Sequence, residues 1–225
     1  MPKFMPNITH LIYDFDGLLL NTEPIYCKVN QIIASRYGKT FTTEIHRQIM
    51  GRQAMDCARV LVRVLDLPLT PEEHLAARNE LIYDLLPEAQ PMPGAMAMTK
   101  RFYEMGIPQA IATSSAAITF NMKTKHYQDW LALFQAIVLG DDPAVKQSKP
   151  APDSFLVAAQ KLGADPGTCL VFEDSPAGVE AAKAAGMSVV AVPAERMDRQ
   201  LYHMADEIIG SLPEFEASRW KLSKA

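Results

Sequence analysis

The sequence predicts an α/β fold, a doubly wound parallel sheet that carries an inserted all-helical unit. Three observations lead there. Short, wholly apolar runs recur from about residue 108 onward and alternate with helical patterns, which demands crossover connections and therefore a parallel sheet covered on both faces. A first apolar run of the same kind stands alone near the start. Between it and the others lie roughly 70 residues with helical periodicity only, far more than an ordinary strand-to-helix loop holds.

In chain order, His10-Leu11-Ile12-Tyr13-Asp14-Phe15 is the first strand, apolar until it stops at acids and a glycine. From Glu23 to about Leu86 the pattern is helical: Val29, Ile32, Ile33 and Tyr37 share one segment, and Val60, Leu61, Val64 and Leu65 share another. Breaks fall at Gly38, Gly51 and Pro68. Thr70-Pro71-Glu72-Glu73 starts a helix, because threonine caps, proline suits the first position and the acids favour the positive helix end. Beyond Pro91-Met92-Pro93-Gly94, Met96 to Met105 reads as a helix. Strands follow at 108–113, 136–139, 169–172, 188–192 and, weakly, 207–209, with helices from Pro152 to Leu162 and from Pro176 to Ala185. The stretch from Glu214 to Ala225 is polar and reads as a helix or a frayed tail. This divides the chain into an α/β core domain, 1–18 with 91–225, and a helical domain, 19–90.

Composition narrows the function. Lysine plus arginine number 22 against 26 acids, a net charge of −4, so no basic excess is available to neutralise a nucleic-acid backbone. Three cysteines, Cys27, Cys57 and Cys169, lie far apart with no CxxC pair, which argues against a zinc knuckle or disulfide framework and for a reducing compartment. The first residues lack the apolar run of a signal peptide, and no stretch approaches the ~20 apolar residues of a membrane span. The expectation is a cytoplasmic protein without a membrane partner, of a size that suits a monomer.

Ligands of open parallel sheets bind beyond the carboxyl ends of the strands. The polar groups there form one set: Asp14-Phe15-Asp16-Gly17, Thr113-Ser114-Ser115, Gly140-Asp141-Asp142 with Lys149, and Glu173-Asp174-Ser175. Carboxylates, hydroxyls and an amine are what a phosphate and a hard divalent cation require, and Mg²⁺ is satisfied by one or two carboxylates plus waters and a phosphate oxygen. Asp14 and Asp174 can supply them. The period of two puts Asp14 and Asp16 on one side with Phe15 turned away. A carboxylate beside a metal can attack phosphorus, and a second can exchange protons with the leaving oxygen and with water. A calcium loop starting at Asp14 fails on spacing, since its sixth and twelfth positions are Leu19 and Ile25.

Other readings of these residues are structural. The hydroxyls at 113–115 can cap the next helix, and Asp141-Asp142 can be an exposed turn before Pro143. Lys146, Lys123 and Lys125 compete with Lys149, solvated surface charge being the ordinary state of lysine; the Pro-Ala-Pro neighbourhood favours Lys149. The five histidines show no metal-binding spacing and read as structural or exposed.

Asp14-Phe15-Asp16-Gly17, Thr113, Lys149 and Glu173-Asp174 resemble the four ordered motifs of the haloacid dehalogenase-like phosphatases, with a helical insertion where that family carries a cap on its Rossmann-like core. The segments Ala112-Thr113-Ser114-Ser115, Met122-Lys123-Thr124, 137–143, 149–155 and 171–174 resemble its pseudouridine-5′-phosphatase branch. The resemblance implies that Asp14 is the nucleophile and Asp16 the general acid and base, with its backbone carbonyl on Mg²⁺. Thr113 and the Ser114 backbone would hold the phosphoryl group, and Lys149 would neutralise its charge. Asp174 would bind the metal directly, with Glu173 beside it or orienting a water. Asn21 stands where relatives often have aspartate at the start of the cap linker.

Gly51 and Arg52, at a break between cap helices, are the expected contact to the departing part of the substrate, since arginine grips hydroxyls and phosphates. The expected activity is Mg²⁺-dependent hydrolysis of a small phosphorylated metabolite, pseudouridine 5′-phosphate first, through an aspartyl-phosphate. A phosphomutase of the β-phosphoglucomutase kind shares these motifs and is the rival enzyme. A receiver-like phospho-acceptor needs no cap of this length, and the intact acid set argues against an inactive binding relative.

Overall fold

The computed structural model describes residues 7–49, 52, 54–194 and 197–222. Six strands form one parallel sheet: β1 (His10–Tyr13), β4 (Gln109–Ala112), β5 (Ala136–Val138), β6 (Cys169–Glu173), β7 (Ser188–Ala191) and β8 (Glu207–Ile208), in the order β5-β4-β1-β6-β7-β8. β1 is central and lies between β4 and β6, so the ends of these three strands meet. The alternation of side chains gives each face its own core. Leu11, Tyr13, Ile111, Leu170 and Phe172 pack on one face with Phe102 of α5 (Ala95–Glu104), Phe120 of α6 (Ala117–Lys123) and Trp130 of α7 (Gln128–Leu131). Ile12, Ala110, Ala112, Val171 and Val189 pack on the other with Phe155 of α8 (Asp153–Leu162) and Val179 of α9 (Pro176–Ala184). The sheet is doubly wound, as expected.

The helical stretch consists of α1 (Glu23–Arg36), α2 (Thr43–Ile49), α3 (Ala54–Leu65) and α4 (Pro71–Ile82). Its apolar stripes close on themselves around Val29, Ile33, Leu61, Leu65 and Ile82. α4 begins at the capping box its sequence predicts: Thr70 Oγ1 accepts from the Glu73 N–H at 3.1 Å and the Glu73 carboxylate accepts from the Thr70 N–H at 2.7 Å. A short antiparallel pair, β2 (Leu20–Asn21) with β3 (Gln90–Pro91), joins the helices to the sheet at both of their chain crossings. Among the described residues no helix is long and apolar enough to cross a membrane.

Two helices are added and two expectations corrected. α6 and α7 were not foreseen, being only 7 and 4 residues long. The tail up to Leu222 is not frayed: Trp220 is buried in the core and its indole N–H donates to Glu207 at 2.6 Å, while Leu222 bridges to Ile8. The hydroxyls at 113–115 do not cap α6, whose first N–H donates instead to the Asp141 carboxylate at 3.0 Å.

Candidate active site

A crevice of about 470 Å³ opens at the carboxyl ends of β1, β4 and β6 and is walled on its far side by α1, α3 and α4. Asp14, Asp16, Thr113, Ser114, Lys149 and Asp174 all line it. The acids past β1 and β6, Asp14, Asp16 and Asp174, therefore line one crevice.

Asp14 follows β1 directly, its N–H bound to the Phe172 carbonyl of β6 at 3.0 Å. Its Oδ1 accepts from Lys149 Nζ at 2.5 Å; the same ammonium donates to Glu173 Oε1 at 2.5 Å and to the Ala112 carbonyl at 3.2 Å. One buried cation thus ties the ends of all three central strands together. The Lys149–Pro150 bond is cis. Burial lifts the Asp14 carboxyl to about 7; the Lys149 charge opposes this and the Glu173 charge adds to it. Burial would lower the Lys149 ammonium, yet Asp14 and Glu173 hold it above its ordinary range.

Asp16 is served by a second cation. Lys123, with no exposed surface, donates to Asp16 Oδ1 at 2.5 Å, to Oδ2 at 2.7 Å and to Ser115 Oγ at 2.6 Å. Ser115 Oγ (2.8 Å) and Thr113 Oγ1 (3.2 Å) also donate to Asp16, as do Thr22 (3.0 Å) and Tyr26 (3.4 Å) from the helical side. Burial raises the carboxyl, but Lys123 and the hydroxyl donors prevail and hold it below the ordinary range. Phe15, between the two acids, is buried against Phe120 and Trp130. The sequence reading of Lys123 as a solvated rival to Lys149 is corrected: its partner lies 107 residues away, a distance no local pattern announces. The Met122-Lys123-Thr124 motif was its one signal.

At the end of β6, Glu173 and Asp174 part company. Glu173 is fully buried and committed to Lys149 and, through Oε2, to the Ser175 N–H at 2.9 Å and hydroxyl at 3.0 Å. It does not reach the crevice lining. Gly178 makes room for it, since a Cβ there would collide with the Glu173 carboxylate. Asp174 faces the crevice, its carbonyl fixed by Tyr202 Oη at 2.6 Å. Its carboxyl lies well above the ordinary range through burial and the neighbouring Glu173 and Asp14 charges. Gly17, at φ 86°, lets the chain turn after Asp16 against that carboxylate, where a side chain would not fit.

The donor set suits a hard divalent cation. Asp14 and Asp174 present carboxyls to one crevice, both raised first by burial, Asp174 also by the Asp14 charge; a cation would favour their ionised forms, and Mg²⁺ needs no more than two with waters. Among the described residues, a trio of potential ligand side chains that already clusters within 4.8 Å is Glu23, Cys27 and His46, and Glu23 and His46 line the helical side of this crevice, away from the strand-end carboxylates.

Of the expected cap contacts, Arg52 is exposed at the crevice lining with its Nε bound to the Gln48 carbonyl at 2.8 Å, and Gly51 lies outside the described residues. Ser115 was placed in the strand-end set without a role toward Asp16, and Thr22, Tyr26, Asn30, His74 and Arg78 were missed by the sequence reading.

A doubly wound parallel sheet with paired acids and buried lysines at its carboxyl edge, beneath a helical lobe, defines an α/β enzyme of the phosphoryl-handling hydrolase class. Residues 11–192 match the profile of the haloacid dehalogenase-like hydrolases, and the chain belongs to that family. It is 42% identical over 221 residues to (DL)-glycerol-3-phosphatase 2 of Arabidopsis thaliana, covering 96% of this chain and 92% of that one. It is 40% identical over 223 residues to a probable pseudouridine-5′-phosphatase of Drosophila melanogaster, covering 98% and 96%. The crystal structure of a putative β-phosphoglucomutase from Thermotoga maritima superposes with a TM-score of 0.71 at 30% identity, covering 90% and 94%. With such relatives the chain is a phosphatase of the family.

Proposed function

We propose that the protein is a Mg²⁺-dependent phosphatase of a small phosphorylated metabolite, pseudouridine 5′-phosphate being the first candidate, acting through an aspartyl-phosphate on Asp14. The observation that carries this is the division of labour between two acids on one crevice, each tied to its own buried lysine. In the first half-reaction an Asp14 carboxylate oxygen bonds to phosphorus as the bond to the ester oxygen breaks, and the Asp16 carboxyl gives that oxygen its proton. In the second, Asp16 takes a proton from water, whose oxygen attacks phosphorus; inorganic phosphate leaves and Asp14 is restored.

Asp16 as held by Lys123 is in the ionised form that the second half uses, so the first half requires it to trade Lys123 bonds for the proton it delivers. Thr113 and Ser114 would bind the phosphoryl oxygens, with Lys149 adjacent to balance their charge. Asp14, Asp174 and the Asp16 carbonyl would hold Mg²⁺, which when bound supplies positive charge against the phosphoryl oxygens. The helical lobe would act as the cap, residues 19–90, that limits water at the reacting atoms.

The test is phosphate release from pseudouridine 5′-phosphate, nucleotide and sugar monophosphates and glycerol 3-phosphate, with and without Mg²⁺. Asp14→Asn is expected to lower kcat by about a thousandfold or more with the fold kept. Undiminished turnover in that variant removes Asp14 from its role, and an isomeric sugar phosphate as product instead of free phosphate identifies a mutase.

A further inference from the structure

Two buried polar atoms of the helical lobe find no hydrogen-bond partner among the described residues. Asn30 on α1 and His74 on α4 are 6% and 1% exposed, yet neither Asn30 Oδ1 nor His74 Nδ1 has a hydrogen-bond partner. Folding takes both atoms out of water without compensation, and native proteins keep few such groups without a reason. Both residues line the crevice that holds Asp14 and Asp16.

Their placement is systematic. Tyr26 and Asn30 are four residues apart on α1, and His74 and Arg78 are four apart on α4, so each pair shares a helix face. The two helices pack together, and the Arg78 guanidinium lies 5.1 Å from the centre of the Tyr26 ring. Tyr26 Oη in turn reaches Asp16 Oδ1 at 3.4 Å. A polar wall therefore runs from the acid that serves the leaving oxygen up into the lobe, with the two orphaned atoms along it. Burial and the Arg78 charge hold the His74 imidazole down to about 4, so it is neutral at pH 7 and can accept or donate according to its tautomer.

Between that wall and the polar Glu23, His46, Arg52 and Asn79, the lobe's lining has an apolar portion that includes Ile49, Met55, Leu61 and Leu75, in a chamber of about 470 Å³. A three-carbon polyol has hydroxyls that can donate to such atoms, but it would leave most of that volume unfilled and the apolar surface uncovered. A flat heterocycle with its own N–H donors and carbonyl acceptors would match the apolar surface, the Asn30 oxygen and the Arg78 guanidinium together. We propose that Asn30 and His74 form the recognition subsite for a nucleoside-type leaving group, so that the substrate is a nucleoside monophosphate and not a glycerol phosphate. This rests on the phosphatase reading and adds the residues that select among its esters.

The test uses Asn30→Leu, which keeps the size and removes the unpaired oxygen, and His74→Phe, assayed beside the unaltered protein with Mg²⁺. For pseudouridine 5′-phosphate, kcat/KM is expected to fall about 10- to 100-fold, mainly through KM. For glycerol 3-phosphate and p-nitrophenyl phosphate, whose leaving groups offer no N–H, it should change less than about twofold. The melting temperature of Asn30→Leu should hold or rise, which a merely structural asparagine would not allow. Equal losses on all three esters, or no loss on the nucleotide, overturn the subsite. Calorimetric binding of free pseudouridine separates the two proposals. Binding that Asn30→Leu abolishes supports the subsite even where no ester is hydrolysed, and absence of nucleoside binding to an enzyme that does hydrolyse esters sinks the subsite alone.

Discussion

Lys123 holds a full positive charge with no exposed surface, and Asp16 with Ser115 supplies most of its hydrogen bonding. Breaking a buried pair costs far more than the pair contributes against an apolar substitute, because the remaining charge is left alone. Lys123→Met should therefore destabilise by about 3 kcal/mol, and pairing it with Asp16→Asn should recover much of that loss. Urea midpoints of the unaltered protein, Lys123→Met and the double variant measure it; an unshifted midpoint in Lys123→Met would show that the pair holds nothing. A second prediction follows from His74. Its imidazole titrates at about 4 when folded against an ordinary 6.5, so the unfolded chain takes up the proton first as pH falls. Its contribution is complete above pH 6.5 and disappears as pH drops through about 4. The unaltered protein should lose more stability across that window than His74→Gln, by chemical unfolding at each pH. At this scale the motifs made Asp14, Asp16, Thr113, Ser114 and Asp174 legible because they lie just past strand ends, and Lys149 through its Pro-Ala-Pro neighbourhood. Lys123, Asn30 and His74 were not, since a buried lysine or histidine looks like a solvated one until its neighbours across the fold are known.

Elements with strong local signals were readable almost to the residue. Thr70-Pro71-Glu72-Glu73 names its own helix start, and Ser175-Pro176 does the same for α9, where Ser175 Oγ accepts from the Gly178 N–H at 3.0 Å. The Thr70 box is exposed and makes no core contact, so its worth is that of a cap alone. Thr70→Ala should cost about 1 kcal/mol, seen as a lower urea midpoint with unchanged catalytic constants; a loss of activity would mean that α4 positions the crevice wall more tightly than its cap does. Elements without a period stayed hidden. β2 and β3 have two residues each and cannot display alternation, and their pairing depends on the two ends of the helical lobe meeting. The tail is similar: its polarity suggests fraying, but Trp220 finds Glu207 and the sheet's core across the fold.

For the whole molecule, the decisive feature is that the crevice belongs to both parts. Asp14, Thr113, Lys149 and Asp174 come from the sheet, while Tyr26, Asn30, His74 and Arg78 come from the helices, and Thr22 and Tyr26 already reach across to Asp16. A ligand that fills it binds only the folded chain, so folding and binding are linked by mass action. Burial and the neighbouring Glu173 and Asp14 charges raise the Asp174 carboxyl, so a cation that favours its ionised form and an oxyanion that the cation attracts are mutually dependent: each is held better with the other present. An inert phosphate analogue such as tungstate, supplied with Mg²⁺ at a hundred times its dissociation constant, should stabilise by about 2.7 kcal/mol. For a chain of this length that is a rise of about 5–10 °C in melting temperature. Tungstate alone or Mg²⁺ alone should give less than half of it, and Asp174→Ala should abolish the synergy while leaving the fold intact. Equal shifts with and without Mg²⁺, or synergy that survives in Asp174→Ala, would place the cation away from these carboxylates.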